Sequence, residues 1–474
     1  MRIRNYIFCL LSFLTASNLR SEVPQLTITG PDGGFTHIEL PEGLAIEHLL
    51  PEEGGAPVMR LNHSAGNATE IGTDCIETCE VVHPGIPALS FHFPDYPEAE
   101  QVWTKNDYIN ATLAVHGNGV VEDQEGLSLT VKGRGNSTWG CEKKPMRLKF
   151  SKKTSLCGFT KAKSYVLLAN YLDRTHIQNV LALWLGQRLG MPYTNHYQHC
   201  DVFINNKYVG LYLLTEKIGI NSASVDIDEE QGMLFEISAE YDEDYKFRSA
   251  RYDLPVMVKD PDLKEMAETD PEGRTPEELL EIWKTDFEKA EEATYRGRGF
   301  NCFDLESFVN FTLVQNVMLN HDMYGPKSVY VHKAVIKEET KYNFGPIWDF
   351  DSGMMAWGIV NGEVTASDPN RSIWYHPFLS RLIHTTGYKT QYTTTFNRFY
   401  SEIYPEMLEF LDTYAKAVEQ SAELDGKRWP DEGPYQTWTY RSNSSNAPKH
   451  ISDLRQWLTD HVEYLKGKLD KGEI

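Results

Sequence analysis

The sequence predicts an α+β protein. Short apolar runs separated by Gly, Pro and Asn dominate the first 215 residues, as strands joined by tight turns do. Longer segments with an apolar stripe at helical spacing enter at Asp173 and take over after Pro377. At 474 residues, the chain is long enough for two or three ordinary domains or for one two-lobed enzyme. Its formal charge of −22 argues against a nucleic-acid surface, since no domain-wide basic balance is available to neutralise a phosphate backbone, and local basic clusters stand out against it.

Residues 1–17 read as a secretory signal: Arg2 and Arg4, an apolar run from Tyr6 to Leu14, then small residues at Ala16 and Ser17. The run is too short for an ordinary membrane span. Its removal takes away two arginines, lowers the formal charge from −22 to −24, and implies a secreted, periplasmic or surface location with no transmembrane segment. Of seven cysteines, Cys9 lies in the signal, leaving Cys75, Cys79, Cys141, Cys157, Cys200 and Cys302. An even count in an exported chain favours disulfides over zinc, because Cys75 and Cys79 have no second pair at finger spacing. Cys141 and Cys157 bracket a basic strand and are expected to pair. Sequons stand at Asn62, Asn67, Asn110, Asn136, Asn310 and Asn443.

Residues 18–100 form a β-rich N-terminal segment without a catalytic constellation. Strands are expected at Tyr108 to Val115 and at Leu127 to Val131, then a loop, Gly133-Arg-Gly-Asn-Ser-Thr-Trp-Gly140, and a basic strand, Lys143-Lys-Pro-Met-Arg-Leu-Lys-Phe150. Two glycines beside Arg134 and a run of hydroxyl and amide groups can cradle an anion; a solvated basic edge strand is the competing reading. An apolar strand at Lys163 to Ala169 precedes a helix opened by Asp173 and closed by Gly190. A hairpin turns at Asn205-Asn206-Lys207, and its second strand runs out into Thr215-Glu216-Lys217. This order is that of a protein-kinase N-terminal lobe, an analogy of fold alone.

Residues 238–295 are acidic, with a solvated amphipathic helix from Pro276 to Ala293. A buried helix from Phe303 to Leu319 ends in Asn320-His-Asp-Met-Tyr-Gly-Pro-Lys-Ser328 before the strand Val329 to Val335. A polar loop held between rigid elements suits a catalytic group, and Asp322 is the candidate. The stretch Tyr342-Asn-Phe-Gly-Pro-Ile-Trp-Asp-Phe-Asp-Ser-Gly353 encloses Asp349 and Asp351 among apolar residues. Buried carboxylates need a partner or a cation, so a metal site and a helix cap are the two readings. The chain after Pro377 is helical and closes on an amphipathic helix, Ile451 to Leu465.

Five motifs together resemble the CotH kinase family: Arg134-Gly-Asn-Ser-Thr-Trp139 with Lys143-Lys-Pro145; Leu167-Leu-Ala-Asn-Tyr171 with Asp173 and Asn179; Gly210-Leu-Tyr-Leu-Leu-Thr-Glu216; Asn320-His-Asp322 with Ser328; and Trp348-Asp-Phe-Asp351. The resemblance covers roughly residues 100–470. It implies an atypical protein-kinase-like two-lobed fold over 101–470, with an N-lobe of about 101–216 and a helical C-lobe of about 217–470. It further implies transfer of the γ-phosphate of ATP, with Mg²⁺ or Mn²⁺, to serine of a secreted or surface protein. Asp322 then resembles the catalytic-loop aspartate, with Asp349, Ser328 and Asp351 at the metal and Arg134, Asn136, Lys144, Lys149 and Glu216 at the nucleotide. One departure is Gln178, where many relatives carry arginine. The alternatives are a non-catalytic surface adhesion protein on the same scaffold, as fungal members are, and a carbohydrate-associated surface protein, suggested by 12% aromatic residues.

Overall fold

The computed structural model describes residues 85–430 and 447–473, apart from 324, 338, 352, 355–358, 361–362 and 365–375, together with the backbone of six short strands between residues 25 and 82. The expected signal, residues 1–17, lies outside the described residues. The six strands, β1 (Gln25–Thr29), β2 (Phe35–Glu39), β3 (Ala45–Leu49), β4 (Val58–Asn62), β5 (Ala68–Gly72) and β6 (Thr78–Val82), form two three-stranded sheets of order β2-β1-β6 and β3-β4-β5. The N-terminal segment is therefore β-rich, and the chain as a whole is α+β.

Seven further strands close a barrel: β7 (Ala88–His92), β8 (Ile109–His116), β9 (Gln124–Gly133), β10 (Met146–Thr154), β11 (Ala162–Leu168), β12 (Gln198–Ile204) and β13 (Lys207–Glu216), in the order β10-β11-β13-β12-β7-β8-β9. Only β12 and β7 run parallel. Period-two patterning fills the interior: Ile109, Ala111, Leu113 and Val115 of β8 and Met146, Leu148 and Phe150 of β10 are buried. The intervening Arg147 and Lys149 consequently face outward. The basic strand is no sheet edge, because β10 pairs with both β9 and β11.

Between β11 and β12 lies α1 (Gln178–Arg188). It starts one turn later than the Asp173 expectation. The Asp173 carboxylate accepts from Thr175 N and Oγ1, at 2.9 and 2.5 Å, and from Gln178 N, at 2.9 Å, so it shapes the bend before the helix.

A second sheet, of order β15-β16-β14-β17-β18, comprises β14 (Met233–Ile237), β15 (Lys246–Arg248), β16 (Pro255–Asp260), β17 (Val329–Lys333) and β18 (Asn343–Phe344). The helices of this half are α2 (Leu263–Glu268), α3 (Pro276–Tyr295), α4 (Leu305–Val317), α5 (Pro377–Ile383), α6 (Tyr388–Arg398), α7 (Tyr404–Arg428) and α8 (Ala447–Asp470); α4 packs on β18, and α7 on β13 of the barrel and on α8. Helix α3 opens with a capping box between Thr275 and Glu278 and Pro276 in its first turn, and it buries Leu279, Trp283, Phe287 and Ala290 on one face. Helix α4 is buried all round from Ser307 to Val317, which places the loop that follows it on a rigid support. Asn310 on this helix is buried and donates to Leu189 O, so its sequon is closed in the folded chain.

The barrel is clamped to α7 by buried polar contacts. Lys143 Nζ lies 2.5 Å from Asp425 Oδ1, which also accepts from Leu211 N at 2.8 Å, and Ser421 Oγ donates to Asp201 Oδ2 at 2.8 Å. The expected Cys141–Cys157 bond is not formed. The Cys141 thiol points to Ser137 O, whereas Cys157 lies in hydrogen-bond contact with Cys200 of β12. The turn after β10 folds over the barrel and so carries Cys157 to β12 instead of back along β10.

Candidate active site

A cleft of about 480 Å³ opens between the barrel and the second sheet. On the barrel side it is lined by Arg134, Asn136 and Thr138 of the glycine loop, with Pro145 and Leu168; on the sheet side by Glu236, Lys259, Asp322, Lys327, Ser328, Trp348, Asp349 and Asp351. Chain segments separated by more than 200 residues thus converge on one space.

The glycine loop runs from the end of β9 to the start of β10. Gly135 has φ of +86°, and a Cβ there would come within 2.3 Å of Thr138 Oγ1; one at Gly133 would enter the Trp139 ring. Only glycine permits this close return of the backbone. The Arg134 guanidinium lies over the Trp348 ring at 5.7 Å, so the loop's one cation is tied to the acidic turn across the cleft. Lys144 is turned away: its ammonium donates to Trp139 O and Cys141 O at 2.9 and 2.6 Å, bracing the loop from behind. Lys149 lies on the outer barrel face over Tyr108. Glu216 is buried against His196, with its carboxylate taking the ring Nδ1 at 2.6 Å and the backbone N at 2.9 Å. Of the five residues expected at the nucleotide, Arg134 and Asn136 line the cleft; Lys144, Lys149 and Glu216 do not.

The acidic side is assembled by amide side chains. Asn320, at the end of the buried helix, accepts from Asp322 N at 3.1 Å and donates to Asp349 O at 3.2 Å, joining the two aspartate-bearing turns. Asn179 of α1 accepts from Phe350 N at 2.8 Å and donates to Asn170 Oδ1 at 3.2 Å. These contacts give a positioning role to Asn170, Asn179 and Asn320, which the motifs contain. Asp349 has φ of +68° and Ser328 of +55°, a region costly for non-glycine residues and often found where geometry serves a site. Ser328 Oγ donates to Asp349 Oδ2 at 3.4 Å.

Asp351 is buried, and burial together with the Asp349 and Asp322 carboxylates pushes its pKa far above the usual range. In its protonated form it shares a hydrogen bond with Asp349. Gln178, near this pair, brings no charge: its Nε2 donates to Asp173, and among the described residues its buried Oε1 has no donor. Lys327 ion-pairs with Glu240 at 2.5 Å, and its pKa is raised by that pair and by Asp322 and Asp349. Lys259 bridges Glu236, at 3.0 Å, and Glu243. Glu236 and Lys259 were not legible as site residues, since an isolated charge on a strand has no motif; Lys327 stands in the polar loop beside Ser328, where the motif singles out the aspartate and the serine alone.

The described residues include no cluster of three acidic, His or Cys groups that could by itself cage a metal ion. Asp349, Asp351 and Ser328 instead offer a partial shell of hard oxygen donors. A carboxylate pair beside a hydroxyl fits Mg²⁺, which keeps waters and phosphate oxygens as its remaining ligands. The family model described as CotH kinase protein matches residues 131–465, most of the chain. The chain belongs to the CotH kinase family. No curated protein matches it. The matched span begins at the last strand of the barrel wall before the glycine loop and reaches into α8, so it contains both faces of the cleft. As a CotH family member the protein is atypical-kinase-like, and no described helix is long and apolar enough to cross a membrane.

Proposed function

We propose that this CotH family protein is a secreted, Mg²⁺-dependent kinase that transfers the γ-phosphate of ATP to serine hydroxyls of a secreted or surface protein. The observation that carries this reading is the convergence of Arg134, Asp322, Ser328, Asp349 and Asp351 on one cleft. Phosphoryl transfer asks for positioned charge more than for covalent help, and the cleft offers charge of both signs.

Arg134 and the amides of the glycine loop hold phosphate oxygens. Asp349 and Asp351, with Ser328, hold Mg²⁺, which when bound offsets the negative charge of the phosphates. Asp322, fixed by Asn320 and by Lys327 N on its own carbonyl, orients the incoming serine hydroxyl and takes its proton at the carboxylate. Lys327, beside Asp322 and Asp349, offsets negative charge while its bond to Glu240 limits its reach.

The test is incubation of purified protein with radiolabelled ATP and Mg²⁺ or Mn²⁺, with co-secreted proteins as acceptors. Label on serine that disappears in Asp349→Asn supports the reading. Absence of transfer from folded wild type under all these conditions favours a binding protein on the same scaffold.

A further inference from the structure

Outside the cleft, the barrel carries cations that the proposed reaction does not use. Register places them on one face of four adjacent strands. Lys132, Arg147, Val166 and Thr215 form one row across β9, β10, β11 and β13; Thr130, Lys149 and Ser164 form the next, which Lys217 N extends by donating to Ser164 O at 3.2 Å. Side chains two apart on a strand share a face, so Lys132 and Arg147 lie one pleat, about 7 Å, from Arg134 and Pro145 of the cleft lining.

This concentration is unusual in a chain of formal charge −22. Among the described residues, Arg147 Nε is buried without an acceptor. The Lys217 ammonium makes no hydrogen bond or ion pair among the described residues; burial first and then Arg147 push it down to about 8, with Asp260 opposing and Lys259 and Glu243 adding smaller effects of opposite sign. Lys132 is likewise pushed down by burial and by Arg147, Lys105 and Lys149, with Asp107 opposing. Lys132 and Lys149 both lie over the Tyr108 ring, at 4.9 and 5.5 Å. Buried like charges repel, and a protein interior seldom keeps an unsatisfied guanidinium nitrogen unless something else completes it.

We propose that Arg147 and Lys217 form an oxyanion-binding subsite beside the cleft, which takes a phosphate or carboxylate group. The group is supplied either by the phosphate tail of the nucleotide or by an acidic or phosphorylated residue of the polypeptide substrate. A two-point contact from a planar guanidinium and an ammonium suits a tetrahedral or planar oxyanion and relieves the repulsion between the two cations. The subsite needs neither Asp349 nor a metal, so it stands or falls separately from the phosphotransfer reading.

The experiment is calorimetric titration of wild type, Arg147→Gln, Lys217→Gln and Asp349→Asn with inorganic phosphate, with Mg²⁺·ATP and with a phosphoserine peptide. Lys152→Gln, which removes an exposed charge of the same strand, is the control. Melting temperatures establish that each variant is folded. Phosphate is expected to bind wild type, the control and Asp349→Asn alike, and at least about tenfold more weakly to the Arg147 and Lys217 variants, the scale of one lost charge-assisted contact. A parallel loss for ATP identifies the nucleotide as the source of the group, and a parallel loss for the phosphopeptide identifies the substrate. As an independent readout, acylation of Lys217 should show a midpoint near pH 8 that saturating phosphate moves upward. Equal phosphate affinity in all folded variants, or no binding to wild type up to about 10 mM, overturns the subsite.

Discussion

Replacing Asp351 by asparagine should have opposite effects on stability with and without metal. The carboxyl is buried beside Asp349, and its pKa is raised first by burial and then by Asp349 and Asp322. Two full charges about 4 Å apart at an effective dielectric of about 20 repel by about 4 kcal/mol, so the metal-free pair retains a proton. A carboxyl with a raised pKa lets stability fall as pH climbs from the ordinary carboxylate value toward the raised one. Asparagine cannot ionise, keeps the shape, and donates its amide to Asp349. At pH 4 the metal-free variant should match wild type within about 0.5 kcal/mol. At pH 8 it should be more stable by about 1–3 kcal/mol, which for a chain of this size is a rise of about 1–3 °C. Mg²⁺ with nucleotide should raise the melting temperature of wild type and leave the variant unmoved, because an amide is a poor substitute for an anionic ligand of a hard cation. Scanning calorimetry at both pH values, with and without Mg²⁺·ATP, measures all four differences. A variant that is less stable at pH 8 without metal, or that gains as much from Mg²⁺·ATP as wild type does, would refute both the shared proton and the metal role.

Asp322→Asn should leave ATP affinity nearly unchanged and lower transfer by about 10² or more, read from single-turnover rates; equal rates would remove Asp322 from the chemistry. Lys143→Met should destabilise the protein by about 3–5 kcal/mol in denaturant titration, because it leaves Asp425 buried without its cation. Adding Asp425→Asn to that variant should recover part of the loss. The Glu216 carboxylate holds the His196 pKa above its ordinary value, so that contribution to stability is present below about pH 6.5 and fades as pH rises through the raised value. Glu216→Gln should bring the His196 titration, followed by NMR, back toward about 6.5. Peptide mapping of air-oxidised protein should find Cys157 joined to Cys200; recovery of a Cys141–Cys157 peptide would contradict the fold of that turn.

Much of the architecture was legible in the residues alone. The alternation along Ile109–His116 and the helical stripe of Pro276–Tyr295 are local periodicities, and each element formed where its pattern lay. The acid-bearing turns were legible for a related reason: Asp349 and Asp351 interrupt an apolar run, and Asp322 follows a helix with no polar face. Long-range decisions were different. Nothing local in Lys143-Lys-Pro145 says which lysine goes inside. Tertiary packing sends Lys143 to Asp425, 282 positions later in the sequence, turns Lys144 onto the back of its own loop, and leaves Lys149 outside the barrel. Glu216 sits on an inward-facing position of β13, so pairing with His196 removes it from the cleft. Closure of the barrel likewise depends on β10 finding β9 and β12 finding β7, contacts whose partners no strand encodes by itself. Which segments are strands and helices, and which carboxylates stand among apolar neighbours, follows from residue types a few positions apart and so can be read from the residues without coordinates. Which charges share the cleft is a matter of long-range packing, since a charge settles where distant segments offer it a counter-charge, a hydrogen bond or water, and that offer exists only once the chain has folded.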